Sequence, residues 1–446
     1  MDRRPGLRID RLTGASLWAL TRLGGSALAA RLGLGRPLEK VVYEGVRVGA
    51  HAIRAGREAA NGAPSGDARR LSSAKTPALF DLAPTEEQAL VVDAMRRFAD
   101  EVLRPAARAA DDQASPPEAV LAQGHALGLA ALAVPEALGG AAGERSSVTN
   151  VLIAEELARG DMGLATALLA PVAVVSAIVA WGTAHQQARL LPAFVGDALY
   201  PAALALLEPQ PLFDPLRLRA GAARSADGGW ALWGEKALVP LASMARTFLV
   251  AADVRGLGAR LFVVDRDAPG LSIQPEPSMG LRGAALGRLS LKDVRVSDDD
   301  VLGGTGTQTD FDFGQLVDRC RIAWGAMAVG AAKAVLDYVI PYCNERVAFG
   351  EPISNKQSVA FLIADIAIEL EGMRLLVLRA ASRSDLGHDV GREAAIARLQ
   401  CANKGMKIGS DGVQLLGGHG FVKEHPVERW YRDLRAIGVV EGALMA

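Results

Sequence analysis

From Thr85 onward the chain changes texture twice. After an acidic start at Thr85-Glu86-Glu87, the apolar residues Leu90, Ala94, Phe98 and Val102 recur every fourth position, which predicts a helix. Helical spacing continues to about Phe194. Over residues 200–302 short apolar runs take over, at 230–233 (WALW), 247–251 (TFLVA), 260–264 (RLFVV) and 289–296 (LSLKDVRV). Gly, Pro and Asp bound them, so they read as strands of an antiparallel sheet or barrel. From about Phe311 the helical period returns and runs to near Arg435. Helices, then strands, then helices predict a segregated α+β fold rather than alternating β-α-β. The expected units are an N-terminal helical domain at 76–196, a β-domain at 197–305 and a C-terminal helical bundle at 306–446. No GxGxxG follows a strand, which disfavours a Rossmann dinucleotide site.

Two stretches need separate treatment. Residues 162–184 are free of charge for 23 positions, long enough to span a bilayer. Pro171 lies in the middle, so two buried helices joined near it are expected instead. Before the linker at 61–77, residues 37–60 carry Lys40, Glu44, Arg47, His51, Arg54 and Glu58 on one helical face. Leu38, Val42, Val46 and Ile53 occupy another. This amphipathic stripe suits attachment to an anionic membrane surface through residues 1–60. It equally suits docking on the arm's own domain or a neighbouring subunit, and amphipathicity alone does not choose.

Charge sharpens that division. Residues 1–75 hold 14 Lys+Arg against 6 Asp+Glu, a net of +8, while the remainder holds 35 against 44, a net of −9. A basic arm precedes an acidic body. The body has no basic excess and aromatics are only 5%, so nucleic acid is not expected as a partner. Cys320, Cys343 and Cys401 are too widely spaced for a disulfide framework or a thiolate zinc knuckle, and the six histidines form no HExxH. No metal is expected. The chain reads as reduced and cytoplasmic, with the arm able to rest on the inner face of a membrane.

Several segments together resemble the acyl-CoA dehydrogenase family of flavoproteins. Gly128–Gly140 (GLAALAVPEALGG) is similar to the family's GL…VPEEYGG, and residues 154–161 read AEELARGD. Gly234-Glu-Lys236 and the DVRV at 293–296 follow. The RVAFGEPI at 346–353 with Gln357 resembles RxxFGxPI…Q. The QLLGGHGF at 414–421 leads to Arg429, Arg432-Asp433 and Glu441-Gly442. Their order spans residues ~83–446 and agrees with the predicted texture.

The resemblance implies removal of hydrogen from the α and β carbons of an acyl thioester. A carboxylate takes the α-proton while the β-hydrogen leaves as hydride to flavin N5. By resemblance Glu441 is that base, its backbone N–H and Gly442 face the thioester, and Asp318 and Arg321 line the acyl-CoA end. Arg346, Phe349 and Gln357 resemble residues that reach the FAD of a neighbouring subunit. Gln414, Gly417 and Gly418 resemble a loop that lets backbone approach the same FAD. A homodimer or homotetramer and an external electron-transferring flavoprotein are implied as partners.

The departures sit on the flavin-facing side. Where the family usually reads TEPGAGSD, this chain reads LEPQPLFD, with Leu207 in place of the threonine. Where the family has W-I-T, Leu238-Val-Pro240 stands, and the EGT threonine is Ala443. Five residues follow Glu441 where the family continues into a helix. Either the basic arm takes that helix's place or the site is more open. The leading expectation is an FAD-dependent acyl-CoA dehydrogenase. Its rivals are a catalytically weakened homologue serving as partner or scaffold subunit, and a membrane-associated anchor built on residues 37–60.

Overall fold

The computed structural model describes residues 80, 82–141, 146–226, 228–306 and 310–446. The arm and its amphipathic stripe lie outside the described residues.

The first helix, α1 (Glu86–Phe98), begins as the acidic start predicted. Thr85 caps it: its hydroxyl accepts from the Gln88 N–H at 3.2 Å, and Gln88 returns a side-chain oxygen to the Thr85 N–H at 3.0 Å. A π turn (Ala99–Leu103) leads into α2 (Arg104–Gln113), and α3 (Glu118–Ala126) follows. Then come α4 (Ser147–Gly160), α5 (Met162–Trp181) and α6 (Ala184–Leu190). The charge-free stretch forms α5 as a single helix with Pro171 inside it, not two helices joined there. A mid-helix proline costs about 3 kcal/mol. Here both halves are buried among neighbours, and that packing outweighs the local preference. By length and composition α5 could cross a membrane, but 83% of its most apolar window is buried inside the protein, as suits a core helix.

The middle of the chain is one seven-stranded sheet. Its strands are β1 (Ala202–Ala205), β2 (Gly221–Arg224), β3 (Trp230–Val239), β4 (Thr247–Val254), β5 (Gly258–Asp265), β6 (Leu271–Pro275) and β7 (Gly287–Val296). The order is β1-β4-β2-β3-β7-β6, with β5 on the other edge of β4. The expectation of an antiparallel sheet needs correction here. Four pairings are antiparallel, but β1 and β2 both pair with β4 in parallel. They do so in succession, β1 along Thr247–Val250 and β2 at Asp253 and Val254. The cause is the long connection between β1 and β2, which returns the chain to the same edge in the same direction.

The helical period then resumes in α7 (Phe313–Glu345), α8 (Gln357–Asp385), α9 (Gly391–Leu416) and α10 (Val427–Ala436). A small hairpin of β8 (Val347–Ala348) and β9 (Glu351–Pro352) separates α7 from α8. α4, α7, α8 and α9 share one apolar core with α1 and α5. The other end of α5 and the start of α7 pack on the sheet through a second core containing Leu204, Leu206 and Leu249.

Candidate active site

The last turn of the chain passes between α7, α9 and the end of β1, and Glu441 sits on it. Its carboxylate retains 11% exposure. Oε1 lies 3.4 Å from Arg321 Nη2, which comes from α7, and 3.4 Å from Arg398 Nη2, which comes from α9. Oε2 is buried and has no hydrogen-bond partner. Arg321 Nε and Arg398 Nη1 are likewise buried and unpartnered. Buried polar atoms are normally paired, so three orphans around one carboxylate set this turn apart. Asp318, one turn before Arg321, is half-buried. Burial pushes its carboxyl above the ordinary value, with Arg321 opposing.

The backbone beneath Glu441 is constrained. Gly442 has φ +73°, and a Cβ there would come within 2.5 Å of the Leu206 Cβ, so only glycine fits. Its carbonyl accepts from Trp324 Nε1 at 2.7 Å. Ala443 follows at φ +65°, an uncommon conformation for an L-residue. Residues 443–446 are buried, and Met445 packs into the sheet-facing core.

Leu207 is buried at the end of β1. The next residue, Glu208, anchors that strand end: it accepts from Lys236 Nζ at 2.9 Å and from the Arg219 and Ala220 amides at 2.8 and 2.9 Å. Burial brings Lys236 down to about 8, with Glu208 opposing. Leu238 has φ +49° and donates its N–H to Glu276 at 2.7 Å. With Met279, Leu281, Leu286, Val439 and Val440 it lines a cavity of about 110 Å³. Leu238 thus opens onto the same small space as Val439 and Val440, which precede Glu441.

The other expected residues lie apart from this cluster, on the surface. Arg346 closes α7, Phe349 at the hairpin tip is 91% exposed with φ +56°, and Gln357 opens α8. Gln414 ends α9 in exposed positions with Gly417 and Gly418. Gly417 has φ +57°, and a Cβ at either glycine would meet nothing within 4 Å, so backbone there is open to a bound group. Tyr342, one turn before Arg346, bonds His419 through its hydroxyl at 2.8 Å, which ties this loop to the end of α7. A guanidinium, an amide, an aromatic ring and open glycine backbone fit a group with a pyrophosphate and a flat ring. Leu207 and Leu238 are apolar and themselves offer no hydroxyl.

Sequence reasoning missed Arg398 and Trp324. Both lie on helical faces that also carry core residues, Ala394, Ala397 and Cys401 for Arg398 and Met327 and Ala328 for Trp324. A charged residue on such a face is the signal that could have drawn attention to Arg398.

Comparison with known proteins adds the following. Residues 85–197, 203–294 and 301–444 match the N-terminal, middle and C-terminal domains of acyl-CoA dehydrogenase. A probable acyl-CoA dehydrogenase of Mycobacterium leprae is 33% identical over 376 residues, 82% of this chain and 94% of that protein. Among solved structures, butyryl-CoA dehydrogenase from Megasphaera elsdenii superposes with a TM-score of 0.74 at 28% identity, covering 81% of this chain and 96% of its own. The FAD complex of PigA superposes with a TM-score of 0.73 at 25% identity, covering 81% and 96%.

Proposed function

The chain belongs to the acyl-CoA dehydrogenase family, and from that premise we propose that it dehydrogenates an acyl-CoA thioester across its α and β carbons with FAD as cofactor. The observation that carries the reading is the Glu441 carboxylate, buried, with Oε1 between two guanidiniums and Oε2 free. Glu441 Oε2 takes the α-proton, while Arg321 and Arg398 hold the other oxygen and so fix which one is presented. The Glu441 N–H is the candidate donor to the thioester oxygen, where charge grows as the α-proton leaves. Burial of the turn excludes water from the proton transfer. When bound, FAD supplies the acceptor for the β-hydride. Arg346, Phe349, Gln357, Gln414, Gly417 and Gly418 of this chain would hold it, reaching across to a second copy.

That second copy has support in the surface of the helical bundle. Phe361, Ile368 and Leu375 stand exposed seven residues apart on α8, with Leu399 exposed on α9. This apolar stripe suits a dimer or tetramer interface. Reoxidation then falls to an external electron-transferring flavoprotein. The apolar residues at Leu207 and Leu238 favour a second reading, a weakened homologue acting as a partner subunit.

Anaerobic mixing with acyl-CoA esters of graded length separates the two. The enzyme is yellow, releases FAD on heating and bleaches with at least one ester. A colourless protein that takes up no FAD belongs to the second reading.

A further inference from the structure

We propose that Arg398 is a positioning residue for the base: it clamps the turn that carries Glu441 and so aims Oε2 at the substrate. This rests on Glu441 being the base. The inference starts from the backbone. Gly442 and Ala443 both have positive φ, at +73° and +65°, and Ala443 gains nothing locally from that conformation. Such a turn persists only where its surroundings hold it. Two contacts do so, one on the residue before Glu441 and one on the residue after it. Trp324 Nε1 on α7 donates to the Gly442 carbonyl, and Arg398 Nη2 on α9 donates to the Val440 carbonyl. Glu441 lies between the two clamped residues.

The same Arg398 Nη2 lies 3.4 Å from Glu441 Oε1. One guanidinium therefore fixes both the backbone entering the turn and one oxygen of its carboxylate. Arg321 is different, since it meets the carboxylate and not the backbone of the turn. Arg398 is itself sunk into the helix pair, its side chain 13% exposed, and burial lowers its affinity for the proton while Glu441 opposes that. A guanidinium is kept in such a place by its partners. With Oε1 held, Oε2 is the oxygen left to accept a proton.

Both contacts come from the one nitrogen Nη2, and an ammonium brought there keeps the charge and the donors without the planar geometry. The test compares the FAD-loaded parent with Arg398→Met and Arg398→Lys. The readouts are the rate of anaerobic flavin bleaching per bound flavin, KM for the acyl-CoA, and a crystal structure of the Met variant. We expect Arg398→Met to slow bleaching on the order of 10²-fold, the scale of a misplacement of about 1 Å, with KM changed less than about threefold. Arg398→Lys should recover at least part of that rate. In the Met crystal structure the Glu441 carboxylate should leave its place beside Arg321. Parent-like bleaching in Arg398→Met overturns the proposal. So does a loss confined to flavin content and melting temperature that lysine does not mend, which marks a merely structural arginine. Should Arg398→Met fail to fold, Arg398→Gln carries the test: kcat lowered at unchanged KM supports the clamp, and parent-like kcat overturns it. If the parent itself does not bleach, the dehydrogenase reading fails, and the crystal structure still decides whether Arg398 holds Glu441.

Discussion

The Glu441 turn and the far end of the helical bundle make opposite use of polar groups. Around Glu441 they are buried, held by α7 and α9 of one chain, and short of partners by three atoms. At the hairpin and the Gly417 loop they are exposed, and Phe349 presents nearly its whole ring to solvent. A buried orphan is costly and calls for a partner, whereas an exposed apolar ring gains when another surface covers it. The contrast separates two tasks. On the proposed reading, the base is assembled within one chain, while the cofactor contacts await a second one.

The interior can be broken first through the network that anchors α7. Glu156 is buried and pairs with Arg96, Arg159 and Lys333 at 3.1, 2.9 and 2.9 Å. Burial alone would raise its carboxyl, but those three cations outweigh it and hold it at about 2, against an ordinary 4.5. Glu156→Gln leaves Arg159 and its neighbours undercompensated and should cost about 3–5 kcal/mol in denaturant unfolding at pH 7. The sign with pH follows from linkage. A depressed carboxylate stabilises above its unfolded value, and that contribution disappears as pH falls from 4.5 towards 2. The gap between parent and variant should therefore narrow across that window.

The exterior should behave differently. Arg346→Ala removes an exposed charge-assisted donor, so FAD affinity, followed by fluorescence titration of the apoprotein, should fall about 10–100-fold. Its unfolding midpoint without FAD should stay within the usual surface range of about 0.5 kcal/mol. The smallest effect is expected at Leu207→Thr, which returns a hydroxyl to the inner wall. A new hydrogen bond of about 1 kcal/mol should tighten FAD several-fold in the same titration and leave the α-proton step unchanged.

Much of this was legible in the sequence, unevenly. The switch from fourfold spacing to short runs and back marked the sheet between two helical stretches, and β3, β4, β5 and β7 lie where those runs lie. β1 (AALA) and β2 (GAAR) escaped notice because they hold no β-branched or aromatic residue. They are strands because β4 offers them an edge, and a tertiary cause of that kind leaves no local mark. Pro171 misled for the converse reason, since its local signal was real but packing overrode it. Glu441 could be picked out only through the order of the motifs before it. Arg398 precedes it by 43 positions, and nothing in the spacing joins them until α9 is laid beside the last turn.

The central claim is that Glu441 Oε2 takes the α-proton. Glu441→Gln keeps the shape, the backbone N–H and the surface that meets FAD, and removes the basicity. The direct measurement is stopped-flow, anaerobic bleaching of bound flavin by acyl-CoA, expressed per flavin, in parent and variant. A general base contributes about 10²–10⁴ in rate, so the variant should retain its flavin and its acyl-CoA binding and bleach slower by that factor or more. A Glu441→Gln protein that bleaches as fast as the parent would contradict the account and move the base to another carboxylate.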